Sequence, residues 1–339
     1  MKYNRNSYKP IPSGTTGGWE RLTDQSPALG GVMGTVFDCY VIMEDGLYKM
    51  WFSWRPAKAI MYTTSPDGLA WELPTVALLR DFDSPWQCEE VSRPTIIKKD
   101  GLYHMWYTGH GFCGFEPTTS IGYAVSDDGI HWERPYPDPV LLGELPWEKH
   151  MIWCPHVLYE EESGIYKLWY SGGATPTSIE CQAIGYATSD DGVHWVRDIR
   201  NPVFQANVEN QWEAYKVSAN YVWKQDGWYY MTYLGSDTDM RAQNGLARSR
   251  DGITDWQRHP SNPILAGTEG KWDCLGICKL SVIQTETGLM GWYNGFNNCI
   301  EEIGILYHEG FDMGFSPEGE KGVNERGDRP CRPPFNRVT

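Results

Sequence analysis

The sequence contains no run of about 18 apolar residues, which a membrane-spanning helix requires. Basic residues are also scarce: 29 Lys and Arg face 44 Asp and Glu, and the net charge is −15. A general nucleic-acid binder needs a basic surface to displace phosphate counterions, so this charge excludes that class. The first residues carry positive charge with no apolar stretch behind them, so we expect no secretory leader and a cytoplasmic location.

The cysteines show no disulfide or zinc-ribbon pattern. There are nine of them, an odd number, and no pair has C-x-x-C spacing. We therefore expect reduced thiols. His150, Cys154 and His156 alternate along one segment, and Cys274 is close to Cys278, but both segments resemble strands and favour packing roles over metal binding. We predict no cofactor and no metal.

The sequence also lacks a sustained helical period of apolar residues. Instead it has 17 Trp, 20 Tyr and 10 Phe, together with 36 Gly and 22 Pro. Aromatic residues favour strands, and glycine and proline favour the turns between them. With 41% hydrophobic residues the chain can bury a sizeable core. These features predict an all-β protein.

Two phrases repeat along the chain. The first, S-x-D-G-x-x-W in its simplest form, occurs four times and ends at Trp71, Trp132, Trp195 and Trp256. The second, an aromatic run such as DGLYHMWYTG, occurs five times and begins at Asp45, Asp100, Ser163, Asp226 and Thr287. Each unit of about 60 residues predicts a four-stranded antiparallel meander, and such meanders bury their faces in a radial array. We therefore predict a five-bladed β-propeller.

The repeats define the expected organisation. The five blades are predicted at about 34–80, 86–142, 147–204, 212–265 and 272–314. The fifth unit has no clear fourth strand, so a segment between Tyr8 and Leu22, within an N-terminal segment 1–33, is expected to close the ring. Residues 315–339 are rich in proline, glycine and charge and predict an extended tail.

The turns separate the two faces of such a propeller. Both D-G hairpins of each unit lie on one face, so the S-x-D-G-x-x-W phrase is interpreted as architecture. The opposite face carries irregular loops at 53–59, 109–120, 171–183, 235–244 and 295–302, where we expect binding. The first strands around the axis are rich in ionisable residues, which predicts a polar funnel. Carboxylates among Trp and Tyr suit a carbohydrate.

WCPHV followed by GIYKLWYSG, SRPTII followed by DGLYHMWYTG, and the repeated SDDGIHW resemble the five-bladed propeller glycoside hydrolases. These are families 43, 62, 32 and 68, with the related family 130 of phosphorylases and hydrolases. The resemblance covers nearly the whole chain and implies a glycosidase that cleaves a small oligosaccharide or glycoside, with exo action expected from the narrow funnel. It would also allow a calcium ion on the axis, although no cluster of oxygen ligands demands one.

The resemblance implies roles for particular residues. Asp38 matches the first-blade Asp that families 43 and 32 use as base or nucleophile. The second blade reads Ser92-Arg93-Pro94, without the Asp of the R-D-P motif, so Glu90 is the substitute acid. The Glu of the family 43 E-G-P motif falls on Ser218, and Glu213 is the displaced equivalent. Asp38, Glu90 and Glu213 are therefore the predicted catalytic carboxylates, two of which would flank the scissile bond.

Further residues on the loop face and the first strands are predicted to bind the substrate. They are Trp54, Arg55, Arg93, His110, Trp153, His156, Ser218, Asp237 and Arg241. Among them Arg93 and Arg241 have the bidentate guanidinium geometry that suits a carboxylate or a phosphate.

Other functions fit the same scaffold. A phosphorylase or transglycosylase would share the site, and a catalytically silent carbohydrate-binding propeller would explain the two missing acids. A sialidase fits least, because the repeated phrase is one residue shorter than its Asp box. The expected partner is a carbohydrate, with neither nucleic acid nor membrane, and the sequence leaves an oligomer open.

Overall fold

The computed structural model describes residues 14–23, 27–114, 116–173, 181–297 and 300–315. Within these residues, helical structure is confined to two 3₁₀ turns at Gly31–Met33 and Gln211–Glu213. None of the described helical segments is long and apolar enough to cross a membrane. The predicted tail lies outside the described residues except for its first residue, Phe315.

The strands follow one another in short hairpins. In chain order they are β1 (Gly14–Thr15), β2 (Trp19–Arg21), β3 (Val36–Glu44), β4 (Leu47–Trp54), β5 (Ala59–Ser65), β6 (Thr75–Leu78), β7 (Glu90–Lys99), β8 (Leu102–Cys113), β9 (Glu116–Ser126), β10 (Ile152–Glu160), β11 (Ile165–Gly172), β12 (Ala183–Ser189), β13 (Val196–Arg197), β14 (Phe204–Gln205), β15 (Lys216–Gln225), β16 (Trp228–Ser236), β17 (Ala242–Ser249), β18 (Gln257–Arg258), β19 (Leu265–Ala266), β20 (Gly276–Gln284), β21 (Gly288–Asn297) and β22 (Ile300–Glu309).

These strands form a β-propeller of antiparallel meanders, which we number as blades in chain order. Blades 1 to 4 contain β3–β6, β7–β9, β10–β14 and β15–β19, and blade 5 contains β20–β22 with β2. A single parallel pairing, Ala242 with Gly276, links blades 4 and 5. The first strands contact one another cyclically, β3 with β7, β7 with β10, β10 with β15, β15 with β20, and β20 with β3. These contacts are consistent with five blades around one axis.

The fourth strand of most blades is short or divided. In blade 2 it is reduced to two bridges, Val125 with Glu133 and Ile121 with Leu141. Prolines 135, 137 and 139 lie between these bridges, and proline has no N–H to donate to a ladder. In blades 3 and 4 the fourth position is split into two pieces of two residues each.

The N-terminal segment supplies the outer strand of blade 5. Trp19 pairs with His308 and Arg21 with Leu306, in antiparallel register along β22. This pairing agrees with the closing strand that was expected between Tyr8 and Leu22.

The repeated S-x-D-G-x-x-W phrase joins neighbouring blades. Ser65 and Asp67 bond the backbone of their own turn, and Gly68 occupies the left-handed region with a φ of 74°. The carbonyl oxygen of this glycine accepts a hydrogen bond of 3.0 Å from Trp292 Nε1 of blade 5. The same bond recurs from Trp51 to Gly129, Trp106 to Gly192 and Trp169 to Gly252. The interpretation of this phrase as architecture is therefore correct.

A second repeated contact lies at the outer part of the blades. Blades 2 to 5 each have a tryptophan before the first strand, at positions 86, 147, 212 and 272, and the acid or amide that follows it bonds an arginine of the fourth strand. The pairs are Gln87 with Arg134 at 3.0 Å, Glu148 with Arg197 at 2.8 Å, Glu213 with Arg258 at 2.6 Å and Asp273 with Arg21 at 3.0 Å. Each arginine also bonds a backbone carbonyl of the preceding blade, at Leu79, Leu142, Gln205 and Ala266. We call this contact the arginine lock.

We predict that Asp273→Ala lowers the free energy of unfolding by about 3 kcal/mol, because it leaves the buried Arg21 guanidinium without its carboxylate. The measurement is equilibrium urea unfolding. Asp198→Ala is the control: it removes the partner of Arg200, whose side chain is 49% exposed, and should cost less than about 1 kcal/mol. Equal losses for the two variants would show that the arginine lock does not hold the N-terminal strand.

Candidate active site

A β-bulge interrupts the first strand of every blade at the equivalent position. The ladder slips between Phe37 and Tyr40 in blade 1, and the same irregularity recurs in the other four blades. In blades 1 to 4 the first bulged residue has a positive φ: 47° at Asp38, 58° at Arg93, 50° at Cys154 and 50° at Ala219. A bulge re-aims its side chain and is common beside active sites.

Asp38 and Arg93 form an ion pair within this layer. Arg93 Nε lies 3.0 Å from Asp38 Oδ2, and the Asp38 residue is only 4% exposed. The Sγ atom of Cys154 lies 3.9 Å from the same carboxylate oxygen. The Arg93 guanidinium also stacks over the rings of Phe37 and Trp153, at 5.2 and 4.7 Å from their centroids. Two predicted residues, Asp38 and Arg93, are thus brought into direct contact.

His110 extends the cluster on the side of blade 2. Its Nε2 atom lies 3.1 Å from the Arg93 guanidinium and 3.0 Å from Ser92 Oγ. Burial, and then the Arg93 charge, hold the pKa of His110 well below its usual value. A neutral imidazole accepts the hydrogen bond from Arg93, and the ring lies 6.3 Å from that of Trp153. Both rings therefore lie beside the Asp38–Arg93 ion pair.

Arg55 packs on Phe37, the residue before Asp38, and also contacts two further carboxylates. Its guanidinium stacks over Phe37 at 4.5 Å and lies 3.8 Å from Glu90 and 3.6 Å from Glu301. Arg55 is 48% exposed, so it marks the solvent side of the cluster. Glu90 is therefore near the site, as expected, whereas Glu301 was not among the predicted residues.

Glu301 has the properties of a proton donor. Burial, and then the Asp38 charge, raise its pKa against the opposing cations of Arg55 and Arg93, and the net result is a rise from 4.5 to about 7. Asn294 Nδ2 donates a hydrogen bond of 2.5 Å to Glu301 Oε2. A carboxyl group with a pKa near 7 can hold a proton at neutral pH and release it during a reaction.

The sequence reasoning missed Glu301 because it lies at the start of β22, outside both repeated phrases. The range 295–302 was predicted as a binding loop, but no single residue in it was chosen. The available signal was Asn294, which replaces the hydroxyl residues Ser53, Thr108 and Ser171 of the other second strands. An amide there can bond both the bulge amide of Lys279, at 3.0 Å, and the Glu301 carboxyl.

The assignment of Glu213 as a catalytic carboxylate is not supported by its position. Its side chain is fully buried in the arginine lock of blade 4, where it bonds Arg258 at 2.6 Å and Asn210 at 2.8 Å. Glu148 of blade 3 occupies the equivalent place and bonds Arg197 and Tyr170. A carboxylate that recurs in a scaffold contact of neighbouring blades belongs to the scaffold.

His156 was predicted to bind substrate, but it lies deep in the axis and is fully buried. Its ring stacks against Tyr221 at 4.4 Å and Tyr40 at 5.9 Å, and Tyr40 and Tyr221 are 5.7 Å apart. Burial, together with the nearby Lys279 ammonium, lowers the pKa of His156 to about 3. These three rings close the axis beyond the bulge layer, so His156 packs the core instead of meeting a ligand.

The remaining predicted residues surround the cluster at different depths. Trp54 donates its indole N–H to the Met33 carbonyl at 2.8 Å and packs between blades. Ser218 is buried immediately before the bulge of blade 4. Asp237 accepts hydrogen bonds from the backbone of Asp239 and Arg241, both at 2.9 Å, so it shapes the β16–β17 loop. Arg241 in turn contacts Asp239 at 3.2 Å.

The axis does not suit a calcium ion. Lys279 is 1% exposed, and its ammonium has no hydrogen-bond partner among the described residues. This charge acts on both Cys39 and His156 and would repel a divalent cation. The described residues contain no group of three His, Cys, Asp or Glu side chains able to hold a metal. This includes the alternating trio His150, Cys154 and His156.

The hairpin order and the cyclic contacts of the first strands are those of a β-propeller. The sequence profile of glycosyl hydrolases family 43 matches residues 32–302, and the chain belongs to this family.

Two curated relatives and one solved structure show how far the similarity extends. An uncharacterized protein of Mycobacterium tuberculosis is 29% identical over 160 residues, covering 46% of this chain and 50% of the relative. A β-1,2-mannobiose phosphorylase of Thermoanaerobacter is 27% identical over 147 residues, covering 40% and 47%. The chain thus spans about half the length of these relatives. A solved glycoside hydrolase superposes with a TM-score of 0.70 at 19% identity, covering 89% of this chain and 96% of that one.

The raised pKa of Glu301 predicts a pH-dependent stability. Its folded-state pKa of about 7 exceeds the ordinary 4.5, so the stability gained from the protonated form is present below 4.5 and lost as the pH rises through about 7. Relative to Glu301→Gln, the wild type should lose about 3 kcal/mol of unfolding free energy over this range. Urea unfolding of both proteins at several pH values measures the difference. A constant difference would mean that Glu301 titrates normally.

Proposed function

We propose that the protein is a glycosidase in which Asp38 acts as base or nucleophile and Glu301 as proton donor. The observation that carries this proposal is the partly buried Glu301 carboxyl, whose side chain is 21% exposed and whose pKa is raised to about 7, beside the Asp38–Arg93 ion pair. Two carboxyl groups in different environments are the usual equipment for glycoside hydrolysis, one protonated and one charged. Glu90 takes the role of an electrostatic partner, since it shares Arg55 with Glu301.

The chemistry follows from these positions. Glu301 gives its proton to the glycosidic oxygen as the bond to the anomeric carbon breaks, so the leaving group departs as a neutral alcohol. Asp38 either attacks the anomeric carbon or removes a proton from the attacking water. After the transfer, the Glu301 carboxylate is stabilised by the Arg55 guanidinium and the Asn294 amide. Arg93, His110 and Trp153 are placed to hold the sugar ring.

We further propose exo action on a small oligosaccharide or glycoside, in a five-bladed propeller closed by its N-terminal strand. The support is the packing of Tyr40, His156 and Tyr221 across the axis, which we take to close one end of the funnel. Such a pocket suits a chain end better than the middle of a polymer. A cytoplasmic location is proposed from the free thiols, which include Cys39, Cys154 and Cys181.

A phosphorylase is the second candidate function. The cavity beside Glu301 is lined by two basic residues, Arg55 and Lys216, and basic groups are what inorganic phosphate requires. The partial similarity to a β-1,2-mannobiose phosphorylase agrees with this alternative. Under phosphorolysis, phosphate replaces water as the attacking group while Glu301 keeps its role.

The test is turnover of a panel of aryl glycosides (arabinofuranoside, xyloside, fructoside, mannoside and galactofuranoside) with and without phosphate. We expect Asp38→Asn and Glu301→Gln each to lower kcat by about 10²- to 10⁴-fold, the usual contribution of an acid or base. In the wild type kcat/KM should fall as the pH rises through about 7, because Glu301 loses its proton, and Glu301→Gln should lack this limb. A higher rate with phosphate would favour the phosphorylase.

The controls separate catalysis from binding. Glu213→Gln, in the arginine lock, should change the free energy of unfolding more than it changes the pH dependence of kcat/KM. A binding module without catalysis would show no turnover in any variant, while sugars raise the melting temperature of the wild type and Asp38→Asn equally. Full activity of Glu301→Gln on poor leaving groups would contradict the assignment of the proton donor.

A further inference from the structure

The described residues enclose a cavity of about 340 Å³ between blades 4 and 5, beside the candidate active site. Glu301 and Arg55 belong to its wall, so the cavity adjoins the carboxyl group that we assign as proton donor. Of the other lining residues, Leu234, Met240, Ala242, Leu275 and Phe296 are apolar, and Lys216, Ser236 and Cys278 complete the wall. The cavity therefore combines an apolar wall with a few polar groups.

The cavity coincides with a departure from the repeat. At three other blade interfaces, a hydroxyl of the second strand accepts a hydrogen bond from the bulge amide of the next blade. These bonds join Ser53 to Arg93 at 2.8 Å, Thr108 to Cys154 at 3.1 Å and Ser171 to Ala219 at 2.9 Å. Leu234 occupies the corresponding place in blade 4 and lines the cavity instead.

A second replacement affects the same interface. Thr232 occupies the place of Trp51, Trp106 and Trp169, so blade 4 has no indole to bond a turn of blade 5. Its hydroxyl bonds the Leu280 carbonyl at 2.7 Å instead. Thr232 thus keeps one hydrogen bond to blade 5, while Leu234 replaces the hydroxyl–amide bond of the other interfaces with an apolar group beside the cavity.

From this geometry we propose that the cavity is the leaving-group subsite and that it takes a group with an apolar face, such as an alkyl or aryl aglycone or a deoxy sugar. This inference rests on the proposed function, because Glu301 must protonate an oxygen at the cavity mouth. Whatever that oxygen carries then extends along Leu234, Leu275 and Phe296. Leu234, Leu275 and Phe296 cannot bond the hydroxyls of a fully hydroxylated sugar, and an unpaired buried hydroxyl is costly, whereas Lys216 and Ser236 offer polar atoms elsewhere in the lining.

The experiment compares leaving groups on one glycone, the one that the aryl glycoside panel identifies. Benzyl, 6-deoxyhexosyl, hexosyl and methyl glycosides all release an alcohol as the leaving group, so the differences in kcat/KM report mainly on binding in the cavity. We expect kcat/KM for the benzyl or the deoxyhexosyl glycoside to exceed that for the hexosyl glycoside at least tenfold, the scale of discrimination by an apolar pocket. Whichever of these two glycosides has the higher kcat/KM shows whether the subsite takes an aglycone or a deoxy sugar.

Leu275→Ser and Phe296→Ser introduce hydroxyls into the wall and should lower the benzyl-to-methyl ratio of kcat/KM about tenfold. Phe82→Ser is the matched control, since Phe82 is 73% exposed and lies outside the cavity lining. Its ratio should equal that of the wild type. Melting temperatures identify any variant that fails to fold. A hexosyl glycoside cleaved as well as the benzyl glycoside, or ratios unaffected by both wall substitutions, would overturn the proposal.

A turnover-free measurement separates this proposal from the proposed function. Saturation-transfer NMR with benzyl alcohol tests the cavity even if no glycoside is cleaved. We expect a saturable signal with the wild type and with Phe82→Ser, and its loss in Leu275→Ser. Turnover without benzyl alcohol binding would overturn the proposal of an apolar subsite but would leave the proposed glycosidase function standing. Binding without turnover on any glycoside would keep the apolar cavity and remove its role as a leaving-group subsite.

Discussion

The bulge in each first strand is the constraint on which the site depends. A regular strand alternates its side chains between two faces, so residues on the axis would recur only at every second position. The extra residue breaks this alternation and aims Asp38 and Arg93 at one another from neighbouring blades, at 3.0 Å. A positive φ at residues other than glycine costs about 1 kcal/mol each, and the hydroxyl–amide bonds between blades offset part of that cost. The site is therefore a product of the same contacts that align the blades.

Two repeated contacts hold the frame in which the bulges lie. The tryptophan-to-glycine bonds join the inner parts of adjacent blades, and the arginine lock joins their outer parts. In blade 5 the lock uses Arg21 from the N-terminal strand, so the two ends of the propeller are held by the same interaction as its interior. Blade 4 has Thr232 in place of the tryptophan and Leu234 in place of the hydroxyl residue, and the cavity beside Glu301 lies at this interface. Regular contacts thus set the architecture, and their local omission shapes the pocket.

The repeats made much of this predictable. Asp38 and Arg93 were found because aligned first strands place them in one layer, and the closing strand was expected from an incomplete fifth unit. Its register was also readable, since Trp19-Glu20-Arg21 matches the W-x-R of Trp132 and Trp195. Glu213 was misassigned because a single acid near an expected motif outweighed the recurrence of Gln87, Glu148 and Asp273 after their tryptophans. Glu301 was missed because its pKa depends on burial and on charges from distant blades, which no local spacing reveals.

The central claim is that Glu301 protonates the leaving group, and the dependence of rate on leaving-group acidity tests it most directly. Aryl glycosides of one glycone, spanning acidic to weakly acidic phenols, would be compared between the wild type and Glu301→Gln. The account predicts that the loss in kcat/KM grows steadily as the phenol becomes less acidic and nearly vanishes for the most acidic phenol, which needs no proton. A loss of equal size for every phenol would contradict the claim and return Glu301 to a structural role.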